Sequence, residues 1–168
     1  MLDTKNDTLS MIGNVNTQGW GQFDVNSDRS LAANIGFNGR VNIVDLKSGK
    51  TVRKFQAYKG AGKSIRFLKD NLKVVTYGAD SENGVLKVWG GGGDKPPVRS
   101  YLVGASKNSD MILDDSGGIA WVFSNNTLAY PLPTLNSRLI VRGGSNPRFV
   151  DEETIGLMIG GGLRVLKD

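Results

Sequence analysis

One pattern recurs along the chain and limits what it can fold into. Three consecutive segments each read as an apolar strand, a second strand, a tight Gly-containing turn, a third strand and a fourth. In the first segment the strands fall at 20–26, 30–36, 40–46 and 51–57. In the second they fall at 63–69, 73–79, 84–90 and 98–104, and in the third at 109–115, 119–124, 127–133 and 137–143. Their third strands begin at residues 40, 84 and 127, spacings of 44 and 43. A period of that length marks one supersecondary unit stacked on copies of itself. Apolar and polar residues alternate at Val41, Asn42 and Ile43, and Val85, Lys87 and Trp89 alternate with Leu86 and Val88, the period-2 signature of strands. Asn38-Gly39 and Asn83-Gly84 fall between the second and third strands, where a type I′ hairpin requires positive φ. Gly is abundant, 23 of 168 residues, as many short turns require. No window carries a helical period, and the chain is expected to be all-β.

A four-stranded unit repeating at this interval is the blade of a β-propeller. A fourth unit supplies only three strands, at 147–151, 154–160 and 162–168, while an extra strand at 8–14 precedes the first. The expected fold is therefore one β-propeller domain over 1–168 with four blades, at about 20–57, 63–104, 109–143 and 147–168 plus 8–14. The N-terminal strand is expected to complete the last blade and remove two exposed edges, making a self-contained unit. Two architectures satisfy this: a closed ring of four blades, or a half-ring completed by a second copy or a partner.

Composition narrows the function. The chain has no Cys and no His, which excludes a disulfide framework, a thiolate zinc site, a Cys nucleophile and a Ser-His-Asp triad. No cofactor is implied. The first ten residues are polar, unlike a signal peptide, and no apolar run approaches the ~20 residues of a membrane span, so a cytoplasmic location is expected. The formal charge is +5, with 21 Lys and Arg spread along the chain in runs of no more than two. Such a balance suits an acidic partner, whether a protein filament, a nucleic acid or an anionic lipid, met by a patch assembled from several loops.

Some segments carry a resemblance. Val44-Asp45-Leu46-Lys47-Ser48-Gly49-Lys50 resembles the end of a WD repeat, where a Trp-Asp pair precedes a Thr/Ser-Gly-Lys turn. Asn26-Ser27-Asp28-Arg29 stands where that family has a Ser-Pro-Asp-Gly turn, and Val88-Trp89 keeps the Trp without the Asp. The family's Gly-His dipeptide is absent, so its His–Asp network cannot form and stability is expected to rest on packing and closure. Residues 20 to about 130 are more specifically similar to coronins, the actin-binding WD-repeat proteins. Ala57-Tyr58-Lys59-Gly60 corresponds to an Ala-His-Glu-Gly-like turn, followed by a strand at Ser64-Ile65-Arg66-Phe67-Leu68-Lys69-Asp70. Val74-Val75-Thr76-Tyr77-Gly78, Leu86-Lys87-Val88-Trp89 and Ile119-Ala120-Trp121-Val122-Phe123 continue the likeness. The resemblance implies a seven-blade relative, a C-terminal extension and a coiled coil; the chain lacks these, and what carries over is filament binding rather than bundling.

Several motifs suggest other chemistry. Ala57-Tyr58-Lys59-Gly60-Ala61-Gly62-Lys63-Ser64 matches a relaxed P-loop, which would make the chain a nucleotide-binding protein. A P-loop needs a helix starting at its Lys to aim N–H groups at phosphates, whereas Ile65-Arg66-Phe67-Leu68 reads as a strand. The Gly-rich run at 90–97 reads as a hairpin loop within the second blade, and Gly160-Gly161-Gly162 as a hairpin in the fourth. Asp114-Asp115 and Asp151-Glu152-Glu153 read as solvated turns, and Trp20, Trp89 and Trp121 as core. In a propeller the loops between blades and the turns between second and third strands emerge on one rim. That rim holds Arg40, Lys59, Lys63 and Lys107, with Arg148 nearby; the opposite rim mixes Asp28, Arg29, Lys47, Lys50, Lys69, Asp70 and Lys95. The expectation is a non-enzymatic module that binds actin filaments or another acidic protein surface through the first rim, or else a scaffold subunit of a larger assembly.

Overall fold

A computed structural model describes residues 2–3, 8–9, 22–68, 72–81, 83–90 and 97, and the strands lying between 99 and 167. Side chains are described for 22–68, 72–81, 84–90 and 97. All regular structure in these residues is β. The elements are β1 (Leu2–Asp3), β2 (Thr8–Leu9), β3 (Gln22–Val25), β4 (Leu31–Ile35), β5 (Arg40–Asp45) and β6 (Thr51–Gln56). Then come β7 (Gly62–Phe67), β8 (Val74–Asp80), β9 (Asn83–Trp89), β10 (Arg99–Val103) and β11 (Asp110–Leu113). The rest are β12 (Ile119–Phe123), β13 (Asn126–Pro131), β14 (Arg138–Arg142), β15 (Ser145–Phe149), β16 (Thr154–Ile159) and β17 (Gly162–Lys167). Among the described residues no helix is long and apolar enough to cross a membrane.

Each sheet is an antiparallel meander: β3-β4-β5-β6, β7-β8-β9-β10, β11-β12-β13-β14, and the three-stranded β15-β16-β17. These are the four units of the sequence repeat, and their strands lie within a few residues of the expected spans. Consecutive strands pair because a hairpin closes at small entropic cost while alternation fixes which face is buried.

The seam differs from expectation. Thr8–Leu9 pairs with Leu2–Asp3, not with β17, so the fourth sheet has three strands. A segment a few residues upstream is the partner with the lowest loop-closure cost, and nothing in an alternating pattern ties an edge strand to a distant sheet. The remainder of the expected strand, 10–14, lies outside the described residues.

The first two sheets share one core. Ala33, Ile35, Val41, Ile43 and Phe55 project from one face of the first sheet onto Ile65, Val74, Val85 and Trp89 of the second, with Ala57 and Tyr58 from the connection between them. Phe55 meets Trp89 with ring centroids 4.5 Å apart, and the Arg53 guanidinium lies 4.5 Å over the Phe55 ring. Burial in β8 does not alternate, because both faces of its sheet are covered. Thr76, Val74 and Trp89 face the first sheet, while Ser64, Val75, Tyr77 and Leu86 are buried on the other face. β11 of the third sheet lies against β7, as do β3 and β4 of the first sheet.

One turn departs from the expected type and the other from the expected position. At Asn38-Gly39 only Gly39 has positive φ (70°), and Gly39 N–H donates to the Gly36 carbonyl, so the connection is a four-residue turn closed by a left-handed Gly. The Asn38 side chain accepts from Arg40 N–H at 3.0 Å, which favours this turn over type I′. Asn83-Gly84 lies inside β9, not in a turn: Asp80 pairs with Asn83, and Ser81 takes the positive φ (61°). Asp80 is held at the end of β8 by Lys59 and Lys87, which carries the ladder two residues beyond the point suggested by the Asn-Gly pair.

Candidate basic rim

The connection between the first two sheets contains Tyr58, fully buried, and its hydroxyl organises the local structure. The Trp89 Nε1–H donates to Thr76 Oγ1 at 2.8 Å, and the Tyr58 hydroxyl donates to the Val85 carbonyl at 3.0 Å. Thr76 and Tyr58 hydroxyls are 2.8 Å apart, and with the Tyr58 proton committed to Val85 the Thr76 proton points to Tyr58. Every polar proton in this relay has an acceptor. Burial pushes the Tyr58 hydroxyl well above the usual phenol range, keeping it a donor. The expectation that stability rests on packing and closure alone is thus corrected: Tyr58, Thr76 and Trp89 form a buried polar network without a His. The ring can lie against β8 because residue 78 is Gly; a Cβ there would come within 2.5 Å of Tyr58 Cδ2.

The same connection is tied to the turns on either side. The Gly39 carbonyl accepts from Ala57 N–H at 2.8 Å and Tyr58 N–H at 3.2 Å, and the Gly36 carbonyl accepts from Gly62 N–H at 3.2 Å. Gln56 Nε2 donates to the Asn38 and Tyr58 carbonyls. On the other side Gly60 N–H donates to the Ala79 carbonyl, and Lys59 N–H donates to Asp80 Oδ1 at 2.9 Å. The turn at 36–39, the connection at 57–61 and the turn after Asp80 therefore form one hydrogen-bonded end of the first two sheets.

Three of the five rim cations lie on this end. Arg40 is exposed, its Nε–H 3.4 Å from Gln56 Oε1. Lys59 is exposed, and Lys63 is half-buried with its ammonium 5.6 Å from the centroid of the Phe37 ring. Lys107 lies outside the described residues. Arg148 stands in β15, paired with Gly156, and its side chain is not among those described.

Among the described residues the carboxylate at this end is Asp80, which Lys87 neutralises at 2.5 Å. Lys87 also donates to the Ala57 carbonyl and lies 4.4 Å over the Tyr58 ring. Burial alone would raise the Asp80 carboxyl, but the Lys87 hydrogen bond, the Lys59 N–H and the charges of both lysines hold it below its usual range. The other end holds carboxylates engaged in turns. Asp28 accepts from the Ser30 hydroxyl and N–H, and Asp45 from the Ser48 N–H; these bonds hold both carboxyls below the usual range. Asp24 accepts from the Phe67 N–H at 2.8 Å. That end is mixed, since Arg29, Lys47 and Lys50 are exposed on the same turns as Asp28 and Asp45.

Residues after Lys63 form β7, with Ser64 fully buried, so no helix N-terminus faces the Gly-Lys-Ser sequence. Trp89 belongs to the core; the Trp20 and Trp121 side chains, the acidic groups at 114–115 and 151–153, and the Gly-rich run from 91 to 96 lie outside the description. Sequence inspection had passed over Phe37, which is 43% exposed. An apolar residue between Gly36 and Asn38-Gly39, where a turn wants polar residues, was the available signal. No protein-family model matches the chain, and no curated protein matches it.

Proposed function

We propose that the chain is a non-enzymatic cytoplasmic binding module, a WD-repeat-like propeller of the coronin type, which docks acidic protein surfaces such as actin filaments. The rim of Arg40, Lys59 and Lys63 makes the contact. The observation that carries this is the pinned basic end: Arg40 at the start of β5, Lys59 on the hydrogen-bonded connection and Lys63 near the start of β7, with the one described carboxylate beside them already neutralised. Preorganised cations lose little entropy on docking and steer acidic partners. The architecture is supported by the repeated meander, by the second sheet buried on both faces, and by β3, β7 and β11, each the first strand of its sheet, lying side by side. Tyr58 supports the family likeness, since it fills the His position of the coronin turn with a hydrogen-bonding side chain.

Pelleting with actin filaments tests the function. The wild type is expected to co-sediment in a salt-sensitive manner, and Lys59→Glu/Lys63→Glu to lose at least about tenfold in affinity, since each reversal costs on the order of 1 kcal/mol. Absence of binding, or equal binding by both proteins, would refute it.

A second reading, a scaffold subunit, is favoured by the β15-β16-β17 meander, which among the described residues has three strands where the other three meanders have four. The edge of β17 would then take a strand from a second copy or another subunit. Size exclusion separates the cases: 18.1 kDa for a monomeric ring, about 36 kDa for a homodimer.

A further inference from the structure

We infer that the basic rim contains an apolar anchor point at Phe37 and recognises an acidic polypeptide segment that also carries an exposed apolar side chain; this rests on the rim being the docking surface. Phe37 is 43% exposed on a turn whose backbone is fixed at five points. Gly36 N–H donates to the Arg40 carbonyl and Gly39 N–H to the Gly36 carbonyl; the Gly36 carbonyl also accepts from Gly62, and the Gly39 carbonyl from Ala57 and Tyr58. Gly39 is required there: its φ is 70°, and a Cβ would come within 2.5 Å of the Gly60 carbonyl oxygen. An aromatic ring held out by a rigid turn has already lost the freedom that docking would take from it, the usual condition of an interface hot spot.

The charges around the ring select its partner. Lys63 stands over the ring, Arg40 follows on the same turn, and Lys59 extends from the connection hydrogen-bonded to it. A purely acidic ligand would satisfy the cations and leave the ring in water; a purely apolar one would leave the cations unmatched. A peptide with carboxylates flanking a Leu or Phe satisfies both. A single-stranded nucleic acid could also offer phosphates and a stacking base, but the Lys63 ammonium already stands over one face of the ring, which leaves a base less of it to stack on.

Fluorescence anisotropy with three labelled probes distinguishes the outcomes: an acidic peptide containing one central Leu, the same peptide with Ser in its place, and an oligo-dT strand of similar charge. The Leu peptide is expected to bind about tenfold more tightly than the Ser peptide, the gain from covering the exposed part of one aromatic ring. Phe37→Ser should abolish that preference, and Phe37→Leu should retain most of it. Lys59→Glu/Lys63→Glu should weaken both peptides. Equal binding of the two peptides, or a preference that survives Phe37→Ser, would overturn the anchor while leaving the basic rim standing. No peptide binding, or no effect of charge reversal, would overturn both. Tighter binding of oligo-dT than of either peptide would overturn the polypeptide assignment.

Discussion

At the scale of single residues, the relay from Trp89 through Thr76 and Tyr58 to the Val85 carbonyl shows how a polar group can be buried without loss: each donor meets an acceptor. Removing one hydroxyl breaks that match. Tyr58→Phe is expected to destabilise by about 1–3 kcal/mol, because Val85 C=O and the Thr76 hydroxyl lose a partner in a dry site; urea denaturation measures it, and a change under about 0.5 kcal/mol would contradict the relay. Arg29 presents the opposite case. It sits at φ 59°, strained for a side chain with a Cβ, in the turn where the resemblance places Gly. Arg29→Gly should therefore stabilise by roughly 0.5–1 kcal/mol in the same assay. Neither was legible in the sequence: nothing in the turn at 26–29 said which residue takes positive φ, absence of His argued against a network, and nothing local tells that a Tyr hydroxyl will reach two strands away. The carboxylates set the pH response. Asp28, Asp45 and Asp80 all titrate lower in the fold than in an unfolded chain, so the stability they contribute is present above the ordinary carboxylate pKa of about 3.9 and is lost as pH falls through the folded values. Thermal melts should show stability falling steadily below about pH 4, with Asp80→Asn flattening part of that fall.

At the scale of elements, β8 and β3 show what patterning can and cannot reveal. β8 is Val-Val-Thr-Tyr-Gly-Ala-Asp, apolar nearly throughout, because sheets cover it on both sides. β3 alternates Gln22, Phe23, Asp24, Val25, and its Phe23 and Val25 are the exposed pair, while Asp24 turns inward to Phe67 N–H. Hydrophobicity alone reverses that assignment; a backbone N–H needing an acceptor decided it. Strand positions were legible because Gly, Asn, Asp and Ser punctuate the chain at short intervals. Turn geometry was not: the Asn38 side chain leaves Gly39 alone with positive φ in its turn, and the second turn begins at Ser81, beside the Lys59–Asp80–Lys87 group, rather than at Asn83. Gly78 tests the packing of this element. Gly78→Ala sets a methyl against the Tyr58 ring and should cost about 1–3 kcal/mol, with Tyr58→Ala in the same chain recovering tolerance of the methyl. Additive losses would contradict the close contact.

For the whole molecule, four meander sheets in sequence order were legible from the 44- and 43-residue spacings, because each sheet is a local unit repeated. The seam was not. Edge pairing depends on which strands come close, and the described start of the chain pairs with itself rather than with β17. The rim, by contrast, follows from topology: once the sheets are meanders, 36–40, 57–63 and the turn after Asp80 must emerge together, and the cations there follow from the sequence. A titration of isotope-labelled protein with an acidic peptide, followed through its amide resonances, reports on that end directly. The expected shifts are concentrated at 36–40, 56–63 and 80–84 and fade with added salt. Shifts centred on the turns at 26–30 and 45–50, or none at saturating peptide, would contradict a basic rim that docks acidic partners.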